Sequence, residues 1–310
     1  MPKSQEKAEL EFKALGTDIY FQLVFEKEAL DAKKDLADLQ AFYLLQEKIF
    51  SRFDVESELS FLNANLGKFH PVSADFLQVA KKSLDYNQMT RGLFDPRIIE
   101  TLEKIGYQKD FKTLDLADIE IEDTKRETLG ELEKDLIIKD DKIKFLQRMD
   151  FSGIAKGYIT DRAGAILQAK KYTNFLLDSG GDMLASGMNQ ESATWKIDIE
   201  GVAERRLLLG LKNEAIATSG IGKRKWESGG KRFHHLINPR DLEKFSFDLQ
   251  SVTVVASNVT EADIWAKVLF LMGKENGQKL AQEKELKSIF LDYRGNAWIS
   301  SELKRNNFEL

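Results

Sequence analysis

Two hydrophobic periods are unequally distributed along this chain, and that division restricts its fold more than any other feature. Between residues 29 and 107 apolar side chains recur at helical spacing. "ALDAKKDLADLQAFYLLQEKIFSRF" (29–53) predicts a long amphipathic helix. "SADFLQVAKKSLDYNQMTRG" (73–92) predicts another, with Ser73 at the N-cap and Gly92 past the end. "SELSFLNAN" (57–65) reads as a short helix or turn, and "FDPRIIETLEKIGY" (94–107) as a turn leading into a helix. From residue 174 the pattern changes to short β-rich runs: 174–189, 194–200, 205–220, 233–240 and 249–257. A helical first part and a strand-rich second part predict an α+β fold of mixed helices and antiparallel sheets.

A few elements cross this division. "TDIYFQLVFEKE" (17–28) reads as a strand, and residues 108–149 as a loop with a hairpin around Asp140-Asp141. "GIAKGYITDRAGAILQAKK" (153–171) is a glycine-opened helix; a further helix starts near Thr260, and 286–300 forms a hairpin around Arg294-Gly295. There is no fixed-period repeat and no low-complexity linker. The expected organisation is a polar extension over 1–13 and a single domain over 14–310.

Composition narrows the function classes. A formal net charge of −5 gives no global electrostatic case for nucleic acid or an anionic membrane. Cysteine is absent, which excludes disulfides, thiolate metal sites and a cysteine nucleophile. No stretch approaches ~18 uninterrupted apolar residues, so no transmembrane segment is expected. The first dozen residues are polar, with no apolar signal region and no lipobox cysteine, and a cytoplasmic location is the expectation. GxSxG, HExxH and P-loop sequences are all missing, against those hydrolase and nucleotidase classes.

Several segments carry chemistry, each with a plainer alternative. "DFSGIAKGYITD" (150–161) places glycines and Lys156 at a helix start, where free N–H groups and an ammonium can receive a phosphate. The alternative is tight packing at Gly153 and Gly157 with a surface lysine. "LLDSGGDMLASG" (176–187) sets Gly180-Gly181 between two strands, either as a hairpin turn or as a backbone approach to a ligand. "IATSGIGKRKW" (216–226) is a small-residue turn followed by Lys223, Arg224 and Lys225: a solvated basic loop or an anion-binding turn. In "RFHHLINPR" (232–240) His234 and His235 point to opposite faces if the segment is a strand, so one can be structural while the other faces a site. In "TEADIWAKVLFLMG" (260–273), Thr260 and Asp263 fit a capping box, and Asp263 and Lys267 fit an i,i+4 ion pair.

Taken in order, "ALGT" (14–17), "FSRFDVESELSFLN" (50–63), "TRGLFDP" (90–96), "DFSGIAKGYITD", "LLDSGGDML", "IATSGIGKR", "HHLINPR" and "SVTVVASNVTEADIWAKVLFLMG" (251–273) resemble the FAD:protein FMN transferase family, ApbE, over residues 14–300. The resemblance implies an ApbE-like flavin transferase fold. It also implies transfer of FMN from FAD to a Thr or Ser hydroxyl of an acceptor protein, with release of AMP. It implies FAD as substrate and Mg2+ as cofactor. A divalent ion lowers the repulsion between pyrophosphate and an incoming hydroxyl, and Mg2+ takes oxygen ligands.

By motif position, the implied FAD contacts are Leu15, Phe53, Leu93, Phe94, Asp95, Asp150, Lys156 and Leu236, with Gly180, Gly181, Ser219 and Gly220 shaping the cleft. The implied catalytic residues are His235, which activates the acceptor hydroxyl, and Asp263, a carboxylate ligand of the metal. The second implied metal ligand is the main-chain carbonyl of Gly153, with Ala155 as its alternative.

The sequence departs from the family pattern in three places. Lys267 stands where the family has a metal-ligating threonine, and a charged lysine has three donors and no acceptor. Its cation can instead occupy the metal position, bridging Asp263 and a phosphate. "NPRDLEK" replaces D-P-x-T-G, and Gly222 replaces an aromatic. A transferase therefore competes with a non-catalytic FAD-binding paralogue and with an FAD pyrophosphatase that gives FMN and AMP.

Overall fold

The computed structural model describes residues 5–26, 31–106, 129–202, 207–222, 225–228, 230–242 and 244–306. Its strands are β1 (Gln5–Ala14), β2 (Thr17–Glu26), β3 (His70–Pro71), β4 (Leu136–Lys139), β5 (Lys142–Phe145), β6 (Asn174–Ser179), β7 (Asp182–Ser186), β8 (Trp195–Ile199), β9 (Leu207–Leu211), β10 (Glu214–Gly220), β11 (Lys225–Ser228), β12 (Lys231–His234), β13 (Ser251–Ala256), β14 (Lys287–Leu291) and β15 (Ala297–Ile299). Its helices are α1 (Ala32–Phe50), α2 (Glu58–Ala64), α3 (Ala74–Met89), α4 (Ile99–Lys104), α5 (Ser152–Ala169), α6 (Val259–Met272), α7 (Lys274–Glu283) and α8 (Ser301–Asn306). The acid- and lysine-rich stretch 107–128 and the Lys223-Arg224 pair lie outside the described residues.

An eight-stranded antiparallel sheet in the order β1-β2-β6-β7-β10-β13-β14-β15 forms the frame. Its two faces belong to different cores. Phe21, Leu23, Leu177, Val252 and Val254 point into the core shared with α1, α5 and α6. Val24, Ala185, Ile216, Val255 and Ile289 point the other way, onto Trp195, Leu209 and Leu211 of the β8–β9 ribbon. Burial on both faces explains why "SVTVVA" reads as a nearly continuous apolar run. Each such Val, Leu, Ile or Phe contributes roughly 1.5–3 kcal/mol through burial. A third cluster packs the β11–β12 hairpin on α4 through Trp226, Phe233, Leu102 and Ile105. The Trp226 Nε1 there donates to the Ile105 carbonyl at 2.8 Å.

The helix and strand expectations are met in type, with differences at their ends. Ser57 and Ser73 cap α2 and α3, each accepting from a main-chain N–H in the first turn. The segment 1–13, set apart as an extension, contains most of β1, paired with β2 along its whole length. Its charges alternate with Ala8, Leu10 and Phe12; in a strand the two sets separate onto opposite faces, and this apolar set packs against the core. The turn leading into a helix expected over 94–107 is formed: Asp95 accepts from the Arg97 N–H at 2.9 Å in the turn, and α4 follows. The strand expected over 233–240 ends at His234. The capping box at Thr260 is not formed. Asn258 caps α6, accepting from the Glu261 N–H, and Thr260 is inside the helix.

Candidate active site

A cleft of about 810 Å³ runs along the ends of several main-sheet strands and the starts of α5 and α6. Every site residue that the family resemblance implies lines it, with Lys267 beside them: Leu15, Phe53, Leu93, Phe94, Asp95, Asp150, Gly153, Ala155, Lys156, Gly180, Gly181, Ser219, Gly220, His235, Leu236 and Asp263. A volume of this order suits a ligand of cofactor size.

Two tight turns form one side. Leu15 and Gly16 (φ 55° and 71°) connect β1 to β2, and Gly180 and Gly181 (φ 67° and 94°) connect β6 to β7. Positive φ at both centres of a two-residue turn matches the strand twist and favours glycine. At Gly180 there is a second reason, because a Cβ would lie 2.1 Å from Thr17 Oγ1. Nothing lies within 4 Å of a Cβ at Gly181, whose N–H donates to Asp178 Oδ1 at 2.7 Å. The first turn thus packs on the second, and Gly181 stays open to the cleft. At the mouth, Phe53 is 48% exposed, with the Arg52 guanidinium 4.3 Å from its ring centroid. Leu93, Phe94 and Leu236 are buried in the wall.

The floor is set by the close approach of α5 and α6. A Cβ at Gly157 would lie 2.7 Å from Thr260 Cα, so glycine is what lets the helices meet. Asp161 of α5 accepts from the Val259 and Thr260 N–H groups and from Thr260 Oγ1 at the start of α6. The packing reading was therefore right for Gly157. Lys156 is not a surface lysine: its Nζ donates to the Ser179 carbonyl at 3.2 Å and pairs with Asp182. Burial pushes the Asp182 carboxyl up to about 6 against the opposing Lys156 ammonium, and the Asp263 carboxylate adds to the rise. From α6, Lys267 Nζ donates to the Gly153 carbonyl at 2.7 Å and to Asp263 Oδ1 at 3.4 Å. Two ammoniums and two carboxylates thus share the floor.

The two histidines divide, one inward and one to the cleft, although β12 ends at His234 and His235 lies just beyond it. His234 is buried among Phe245, Phe247 and Phe270, with Nε2 3.0 Å from the Ser246 carbonyl. Burial pulls its pKa down to about 4, so it is neutral and structural. His235, half-buried, lines the cleft. Asp95 is turned to the protein: it accepts from Arg97 Nε at 3.0 Å and NH2 at 2.7 Å, and from Asn87 at 3.1 Å. That carboxylate holds the Leu93–Phe94 wall in place. Asp150 accepts from the Ser152 N–H at 2.8 Å, next to Arg52 at 3.4 Å, and anchors the start of α5.

The donors expected to hold Mg2+, Gly153 O and Asp263, are both bonded by the Lys267 ammonium. Among the described residues no cluster of three or more His, Cys, Asp and Glu side chains stands ready to hold a metal. An ammonium already seated on both oxygens does not fit Mg2+, which would meet a like charge at the same place.

Sequence reasoning missed Asp182 and the wall given by Ile197, Asp198 and Ile199 of β8. Asp182 had a visible signal, an acid directly after the glycine pair; β8 carried no motif.

This antiparallel sheet backed by α5 and α6, with a cofactor-sized cleft at its turns, matches the fold of solved flavin transferases. The flavinyl transferase ApbE of Pseudomonas stutzeri, in its apo form, superposes with a TM-score of 0.86 at 19% identity over 97% of this chain and 96% of its own. The flavin transferase ApbE of Vibrio cholerae gives 0.83 at 22% identity over 97% and 99%. In sequence, the FAD:protein FMN transferase of Klebsiella pneumoniae (strain 342) is 25% identical over 309 residues, covering 95% of this chain and 88% of that protein. That of Escherichia coli (strain K12) is 24% identical over 284 residues, covering 84% and 81%. A sequence profile of the ApbE family matches residues 15–290, and the chain belongs to that family.

Proposed function

We propose that this protein binds FAD in the cleft and transfers its FMN moiety to a Thr or Ser hydroxyl of an acceptor protein. The observation that carries the reading is the convergence, in one cleft, of segments from Leu15 to Lys267. Its chemistry follows from the residues present. Phe53 offers an exposed ring for stacking at the mouth, and Leu93, Phe94 and Leu236 give an apolar wall. The Gly180–Gly181 turn lets main chain approach the ligand. Lys156 supplies positive charge on the pyrophosphate side. His235 accepts the proton of the acceptor hydroxyl as its oxygen attacks the FMN phosphorus. The phosphorus–oxygen bond to AMP then breaks, and AMP leaves with the bond's electron pair. The oxygens that the resemblance assigns to Mg2+ are held instead by the Lys267 ammonium.

The test is incubation of purified protein with FAD and a threonine-bearing acceptor domain, followed by AMP chromatography and intact-mass measurement of the acceptor. AMP together with an FMN-sized mass increment supports the transferase. AMP with free FMN and an unmodified acceptor would make it a pyrophosphatase. Tight FAD binding without AMP would make it a flavin-binding paralogue, the reading favoured by a cation already seated on Asp263.

A further inference from the structure

We propose that Lys267 is a built-in cation that takes the place of a divalent ion, so that this protein engages the FAD pyrophosphate without metal. The inference rests on the FAD-binding reading above. Asp263 and Lys267 are four residues apart on α6, and such a pair is usually a solvated surface contact. Here the side chains are only 11% and 17% exposed, and the shorter bond of Lys267 goes to another helix, to the Gly153 carbonyl. Glycine leaves room for the ammonium: a Cβ at residue 153 would lie 2.7 Å from the Lys267 Nζ and push it aside. An ammonium has three N–H donors. The carbonyl and the Asp263 carboxylate take two, and the third remains for an oxygen of a ligand in the cleft that Lys267 lines. The charge balance agrees. Lys156 and Lys267 already oppose Asp182 and Asp263 on the floor, and a divalent ion at the same oxygens would have to displace the ammonium or sit against it.

The test is FAD binding to the full chain by calorimetry, in EDTA and in millimolar MgCl2, with riboflavin as a phosphate-free control. The wild type is expected to bind FAD within about twofold in the two buffers. Lys267→Met is expected to weaken FAD about tenfold or more, the loss of one charge-assisted bond, and to leave riboflavin unchanged. Lys267→Thr, which replaces the ammonium by an oxygen, is expected to make FAD binding depend on MgCl2. Gly153→Ala moves the ammonium without removing its charge, and is expected to weaken FAD without restoring a Mg2+ requirement; it also serves if Lys267→Met fails to fold. Loss of wild-type FAD binding in EDTA, with recovery in MgCl2, overturns the built-in cation and leaves the FAD-binding reading intact. So does unchanged FAD affinity in both Lys267→Met and Gly153→Ala. Absence of FAD binding in either buffer overturns the functional reading itself, and the inference with it.

Discussion

Asp161 grips Thr260 twice, through the backbone N–H at 3.0 Å and the side-chain hydroxyl at 2.6 Å, and takes the neighbouring Val259 N–H at 2.7 Å. One half-buried carboxylate on α5 therefore satisfies donors at the start of α6 and fixes how the two helices present their cleft residues. Asp161→Ala leaves those donors unpaired, and is expected to lower stability by about 2–4 kcal/mol in urea unfolding. FAD affinity should fall as well, because Asp263 and Lys267 ride on α6. An unchanged midpoint would show that water replaces the carboxylate at no cost.

Gly157→Ala tests the same contact by overpacking. The new methyl would meet main-chain atoms of Thr260 and Val259, which cannot rotate away. A loss of about 1–3 kcal/mol is expected. The matching change at Gly181, where the space is open but φ is 94°, should cost less than the Gly157 change and weaken FAD instead. Thermal unfolding with and without FAD separates the two.

His234 and His235 should respond oppositely. His234→Ala empties a site among three phenylalanines, with an expected loss of about 2–4 kcal/mol. His235→Ala should leave stability within about 0.5 kcal/mol, keep FAD binding, and abolish transfer to the acceptor. Wild-type transfer by His235→Ala would remove this residue as the proton acceptor.

His234 and Asp182 pull the pH dependence of stability in opposite directions. For His234, held down to about 4, the unfolded chain takes up a proton near 6.5 that the folded protein refuses, so stability falls as pH drops from 6.5 towards 4. For Asp182, pushed up to about 6, the folded protein keeps a proton that the unfolded chain has released. Its contribution falls as pH rises from 3.8 towards 6. Each is worth roughly 1–3 kcal/mol at full extent. Urea unfolding of Asp182→Asn across pH 4 to 7 should therefore show a larger rise with pH than the wild type. A parallel pair of curves would mean that Asp182 titrates normally.

Local sequence determined much of this protein. Periodicity separated the helical and strand-rich parts, because one face of each helix and the inner face of each strand must leave water. Ser73 and Gly180-Gly181 marked a cap and a turn, since side-chain oxygens and positive φ act within a few residues. The order of short motifs named the family and the residues that line the cleft. Locally ambiguous signals failed: β1 looked like a charged tail, and Thr260 offered a cap that Asn258 takes. Tertiary structure alone decided what no window contains. It brought Asp135 onto Arg97, sent His234 inward, and covered the second sheet face with β8 and β9. It also placed the Lys267 ammonium on a carbonyl 114 residues away. The pairing of Asp263 with Lys267 is written in the sequence, but the third partner is not. Only packing α5 against α6 through a glycine brings that carbonyl within hydrogen-bond reach, and so makes an ordinary helix pair the floor of a site.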